Sequence, residues 1–314
     1  MSLLKSCALA GLLAAPLAAL CAPFAYVPNE GSGTLSVIDT ATDQVVANIA
    51  AGKKPRGIVI AVDGRTAYVS DQPNNQLVMI DLAARKQSGV ILLGESPEGL
   101  GMSTDGRWVA AAVEETNEVA FVDTQTNTKA FVVKLRGRNP EHAVFSPDGR
   151  FVFVSAEDGE AIDVIDFARR TQVAQIPVGA RPRGIGFSPD GQRAYVAAEN
   201  SSELYVIDAV RFTVLAKVKA GQRSNGISVH PDGKRVFVSN GGDASVSVFD
   251  VATQTISATI PVGQRPWNMA LTPDGSKLYV ACGRSGVVSV IDTVRGVKIA
   301  DIPVGKLPWG VAIR

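Results

Sequence analysis

Cysteine is scarce in this chain of 314 residues: three are present, Cys7, Cys21 and Cys282. The first two fall in the amino-terminal leader described below, so no internal disulfide is expected. The fold must then hold by packing and backbone pairing. The same scarcity excludes a C-x-x-C-H haem attachment and a cysteine-rich zinc site. Histidine is rarer still, with His142 and His230. Charged residues make up only 19% and sum to +1, which gives no bulk attraction to nucleic acid or to an anionic membrane. A clean basic stripe and an interleaved aromatic platform are both missing, so nucleic acid is not an expected partner. The apolar run Leu9–Leu20 is too short to span a bilayer, and the mature chain carries no integral membrane segment.

That short run has a clear reading. Lys5 gives a positive start, the apolar stretch follows, and small residues surround Ala19, Cys21 and Ala22. Residues 1–22 read as a signal peptide and 23–314 as a single mature domain, with a periplasmic location. Cys21 stands where a lipoprotein cysteine would, but Leu20 before it is the wrong size for that processing.

What the chain has in quantity is Gly (30), Pro (17) and apolar residues (46%), a composition suited to a turn-rich β protein. It also repeats. Strands ending in Asp recur at Asp39, Asp81, Asp123, Asp166, Asp208, Asp250 and Asp292. An Asp-Gly pair recurs in step at Asp63, Asp105, Asp148, Asp190, Asp232 and Asp274. Each unit of about 42 residues reads as four short strands, for example 184–188, 193–198, 203–208 and 213–218. The chain is therefore expected to be all-β, a seven-bladed β-propeller of four-stranded antiparallel blades. The ends agree: residues 25–29 correspond to a second strand, and 310–314 to a first strand. The carboxyl-terminal strand should join blade 1 and close the ring.

The tetrapeptides YVSD (68–71), YVAA (195–198), FVSN (237–240) and YVAC (279–282), with IPVG tails at Ile176, Ile260 and Ile302, resemble the YVTN-repeat propellers. In overall layout the chain further resembles the propellers associated with pyrroloquinoline quinone-dependent alcohol catabolism. That resemblance implies a non-catalytic periplasmic binding or accessory module, with a quinoprotein dehydrogenase or a transport component as partner. Quinoprotein dehydrogenases usually have eight blades with tryptophan docking motifs. Seven blades, three tryptophans and no such motif argue against a tightly held quinone, so no cofactor is expected.

A residue present in every blade does one job seven times, so the recurrent aspartates read as turn caps. Candidate function lies where the repeats differ. The loop before each inner strand ends in Arg56, Glu98, Glu141, Arg183, Asn225, Trp267 or Trp309, and His142 and Asn268 replace the usual glycine that follows. These nine residues should ring the channel mouth and hold a small anionic or planar ligand, or a partner. The alternative is a solvated rim in which Arg and Glu merely pair. No metal is expected, because His142 and His230 should face opposite ends of the channel. The enzymatic alternative is a lactonase-type small-molecule hydrolase acting at the mouth, which only His142, Glu98, Glu141, Arg56 and Arg183 could supply. Large residues of the inner strands (Ile58, Leu100, Ile185, Ile227) should pack between blades, and smaller ones (Val59, Gly101, Gly186) should line the channel. Glu30, Glu114, Glu157 and Glu199 occupy a neighbouring set of loops and should neutralise the basic ones. Cys282 should pack in the core.

Overall fold

The computed structural model describes residues 23–314, so the expected leader over 1–22 lies outside the described residues. The chain forms seven four-stranded antiparallel sheets arranged as blades. In blade 5 the strands run Pro182–Phe187, Arg193–Ala198, Glu203–Asp208 and Thr213–Lys219, from the axis outward. Val, Ile, Tyr and Ala supply the strands, and Asp-Gly supplies the first turn. There Gly191 takes a left-handed φ of 69°, while Asp190 Oδ1 accepts from the Gln192 amide (3.0 Å) and the Ser188 hydroxyl (2.5 Å). The strand-ending aspartates act likewise: Asp39, Asp208 and Asp292 accept from backbone amides two or three residues on.

The ring closes as expected. Ala25 pairs with Ile313 and Tyr26 with Ala312. Phe24 and Arg314 exchange both backbone hydrogen bonds, at 2.8 and 3.0 Å. The regular part of the tail is only Ala312–Ile313. Trp309 N–H still donates to the Pro28 carbonyl (2.9 Å), but Pro28 has no N–H to return.

Seven apolar clusters hold the molecule together, one at each blade-to-blade interface. Between blades 3 and 4, Phe121 is fully buried and stacks on Phe131 at 4.6 Å. Side chains of that size contribute about 1.5–3 kcal/mol each when enclosed. Cys282 is buried in the cluster between blades 6 and 7.

The reading of the inner strands needs correction. Both faces of each inner strand pack against neighbouring blades: Ile58 joins the cluster with blade 1, and Val59 joins the cluster with blade 3. Blades stand radially, so the strand shows its edge to the axis. Gly101 is small because a Cβ there would collide with the Ala143 carbonyl of the next blade. His230 also departs from expectation. Its ring sits at the Asp-Gly turns, near Arg235 Nη2 (2.9 Å) and the Gly275 carbonyl (3.2 Å), where it joins blade 6 to blade 7. Among the described residues no helix is long and apolar enough to cross a membrane.

Candidate functional site

Inner strands of blades 2 to 7 open with a β-bulge. In blade 2, Pro55 pairs with Asp71 and Ile58 with Val69, so Arg56 and Gly57 face the single residue Ser70. The residue before the proline is left-handed in most blades, for example Ser96 at φ 59° and Arg181 at φ 60°. A bulge of this kind takes two residues out of the ladder and re-aims the first. Glycine usually takes the second place because a Cβ on Gly57 would collide with the Glu98 carbonyl of the next blade.

The re-aimed side chains surround a cavity of about 460 Å³. Six of the nine sequence candidates line it: Arg56, Glu141, Arg183, Asn225, Trp267 and Trp309. Glu98 is fully buried beside it, bound to Arg56 and to Gln72 Nε2 (2.8 Å). His142 and Asn268 are not in the mouth. They line a smaller chamber of about 170 Å³ deeper in the channel. Trp309 borders both spaces and stacks on His142 from across the ring, with centroids 5.4 Å apart and planes at 18°.

Glu30, Glu114 and Glu157, expected in a neighbouring set of loops, line the same cavity, and so do Arg181 and Arg265 of the mouth loops. The loops of Glu30, Glu114 and Glu157 follow the second strand of each blade, which lies beside the bulge, whereas Arg181 and Arg265 directly precede the bulge prolines Pro182 and Pro266. The expected neutralisation is present: Glu30 pairs with Arg56 (3.2 Å) and Glu157 with Arg181 (3.0 Å). Glu199 takes Arg183 (3.0 Å), Arg223 (3.1 Å), Arg265 (2.8 Å) and, at 3.5 Å, Arg181.

These surroundings divide the carboxylates. Burial alone would raise Glu199, but Arg183, Arg265 and Arg181 overcome it and hold the group below the usual carboxylate range. Burial also opposes ionisation of Glu141, and Arg183 again wins. Glu98 lies well above the usual range, first from burial and then from the charge of Glu141, and its Oε2 has no partner. Glu157 is pushed up to about 7 by burial and by Glu141, against the pull of Arg183 and Arg181. A carboxyl group titrating there, on the wall of a cavity between two guanidinium groups, can take and return a proton near neutral pH. Among the described residues no cluster of His, Cys, Asp and Glu is arranged to hold a metal ion.

Comparison with known proteins bears on this site. Residues 142–296, just under half of the chain, match the family model described as lactonase, 7-bladed beta-propeller. That is an enzyme family. The match corrects the expectation of a non-catalytic accessory module, which rested on the family resemblance, the leader and the lack of a recognisable catalytic constellation in the sequence. No curated protein matches the chain. Among solved structures, hydrazine synthase of Kuenenia stuttgartiensis is 21% identical, with 85% of this chain and 92% of that chain covered and a TM-score of 0.79. A protein of Bacteroides fragilis provisionally described as a 6-phosphogluconolactonase is 19% identical over 96% of this chain and 100% of its own, at 0.79. A protein of Bacteroides uniformis described in the same way is 20% identical over 93% and 99%, at 0.78. At such identities these structures show the fold alone.

Proposed function

We propose that this protein is a lactonase-type hydrolase that opens a small lactone at the channel mouth. The observation that carries the reading is Glu157, a cavity-lining carboxyl group raised to about 7 between Arg181 and Arg183. The lactonase-family match over residues 142–296 supports it.

In this reading the lactone lies against Trp267 and Trp309, whose rings give a flat apolar surface for a sugar-like ring. Glu157 as carboxylate removes a proton from a water molecule as its oxygen attacks the lactone carbonyl carbon. Arg183 and Arg181 stabilise the oxyanion that forms. Collapse of that intermediate breaks the bond to the ring oxygen, which takes the proton back from Glu157. The product is an open hydroxy acid and Glu157 is restored. Two similar structures carry the provisional name 6-phosphogluconolactonase, which makes a sugar-acid lactone the first substrate class to try.

The test is base uptake at constant pH by the purified protein with glucono-δ-lactone and its 6-phosphate. Turnover should rise with pH through about 7 and fall about 10²- to 10⁴-fold in Glu157→Gln, the usual range for a lost general base. No turnover of either lactone, or full activity in the variant, overturns the proposal. Two finer assignments belong with it. The repeat is of the YVTN kind, on the tetrapeptides quoted above, and residues 1–22 direct the chain to the periplasm. Cell fractionation with the leader deleted tests the second.

A further inference from the structure

Two positions of each blade lie at the mouth: the bulge residue, and the residue that follows the second strand. In blades 1 to 5 the second of these is Glu30, Gln72, Glu114, Glu157 or Glu199, but in blades 6 and 7 it is Gly241 and Gly283. The bulge residues of those two blades are Asn225 and Trp267. Blades 6 and 7 are thus the adjacent pair in which both columns lack a carboxylate. The glycines have a cause: a Cβ on Gly241 would stand 2.9 Å from Arg265 Nη1, and one on Gly283 2.6 Å from the Trp267 ring. Arg265 and Trp267 occupy the space that a larger residue would need there.

The donors of this sector are only partly used. Arg265 lines the mouth, its side chain 12% exposed, with its guanidinium carbon 5.9 Å from the Trp267 ring centroid. Its Nη2 donates to Glu199 Oε1 at 2.8 Å, and no described residue accepts from Nε or Nη1. Asn225 gives an independent observation. It is 4% exposed and lines the same cavity, yet its side-chain amide makes no hydrogen bond to a described residue. Amides so enclosed are nearly always paired. The next residue, Gly226, abuts the Trp267 backbone, where a Cβ would stand 2.5 Å from the carbonyl oxygen. Asn225 therefore stands beside Trp267 at the cavity wall.

We infer that blades 6 and 7 form a carboxylate subsite, in which Arg265 and Asn225 hold the single carboxylate of a ring-shaped ligand lying against Trp267. Water can accept from the Asn225 amide, but only an anion also takes the Arg265 charge, and such charge-assisted bonds are the stronger ones. The charge of the ligand is bounded as well. Arg265 already shares its charge with Glu199, so it balances one negative charge at most. A carboxylate fits that limit, and a dianionic phosphate ester exceeds it. The indole ring gives the ligand ring a flat apolar surface. Resting on the hydrolase reading above, the substrate is then a lactone with a carboxylate on its ring, such as the monolactone of a sugar diacid.

Tetrahydropyran-4-carboxylate and tetrahydropyran-4-carboxamide share one shape, contain no ester to hydrolyse and differ in charge. Calorimetric titration of the purified protein at pH 7 should find the carboxylate bound about tenfold more tightly, the worth of one charge-assisted hydrogen bond. Tetrahydropyran-4-yl phosphate should bind more weakly than the carboxylate. Asn225→Asp keeps the side-chain shape and adds a negative charge, so it should erase the preference for the carboxylate while the carboxamide still binds. Wild-type selectivity decides the matter even if that variant folds poorly. Equal affinity for carboxylate and carboxamide, tighter binding of the phosphate, no binding of either ring, or a preference that survives Asn225→Asp would overturn the proposal. None of these titrations needs turnover. A protein that binds the carboxylate but opens no lactone refutes the hydrolase reading and leaves the subsite standing.

Discussion

Glu98 and Glu199 are equally enclosed, each 0% exposed at the same mouth, and their surroundings give them opposite characters. Glu199 lies in the sector of blades 5 to 7, where four arginines converge on it. Glu98 lies in the sector of blades 2 to 4, with one arginine, a glutamine amide and an oxygen left unpartnered. Burial acts on both in the same direction. It wins at Glu98, where Glu141 adds repulsion, and loses at Glu199, where cations outnumber the charge. One sector clamps its buried carboxylate as an anion, and the other opposes the charge of Glu98. Glu157 stands at the border, paired with Arg181 and Arg183 on one side and repelled by Glu141 on the other.

The comparison breaks most severely if Glu199 is neutralised. Glu199→Gln leaves Arg265, whose side chain is only 12% exposed, without its carboxylate partner, while Arg183 keeps Glu141 and Glu157; the change should cost about 3–5 kcal/mol, the range for a buried charge stripped of its partner. Urea denaturation at pH 7 measures this. A loss below 1 kcal/mol would mean that the arginines simply turn to solvent.

A second test uses pH. Glu157 binds its proton more tightly folded than unfolded, so its contribution to stability is complete below about 4.5 and is lost as pH rises through about 7. Unfolding free energy should therefore decline between pH 5 and pH 8 in the wild type, and the decline should flatten in Glu157→Gln. Glu199 has the opposite sign: its contribution is present above the ordinary carboxylate range and is lost as pH falls through its depressed value. Glu199→Gln should thus remove stability at neutral pH and lessen the loss on acidification.

Glu98→Gln should be milder. Burial and the Glu141 charge already disfavour the charged form of Glu98, and the amide has the shape of the carboxyl group. The change should cost about 1 kcal/mol or less at pH 7, because Arg56 keeps Glu30 as a partner at 3.2 Å. A loss as large as that of Glu199→Gln would erase the contrast between the sectors. Smallest of all is Arg138→Ala. Arg138 reaches the Asp158 carbonyl at 3.3 Å from an exposed position outside the mouth, and its removal should stay within about 0.5 kcal/mol.

Much of this fold was legible in one dimension. The Asp and Asp-Gly columns recur because each caps a turn through bonds spanning two or three residues, so the cause lies inside the repeat. Closure was legible from the second-strand beginning at Tyr26 and the first-strand ending at Ala312, which pair with each other. The mouth was legible only in part. Arg56, Glu141, Arg183 and Trp267 stood out as departures from the repeat, and they do meet. Glu157, which carries the proposed chemistry, hid in a column that looked like ordinary salt-bridge partners. The signal that marks it is its place after the second strand, adjacent to a bulge that the sequence pattern did not reveal. His142 and Asn268 were assigned to the mouth because they adjoin its residues in sequence, but alternate direction along a strand sends them below Trp309.

Blade number, strand order and the closing tail follow from the order of residues alone, because alternation, turn chemistry and a fixed period are local properties that each copy satisfies for itself. Which carboxylate is favoured as the anion, which is disfavoured, and which side chains share a cavity were settled by the assembled ring. Those properties depend on through-space distance and on exclusion of water, and both come into being only when residues far apart in the chain, such as Glu199 and Arg265, are pressed together.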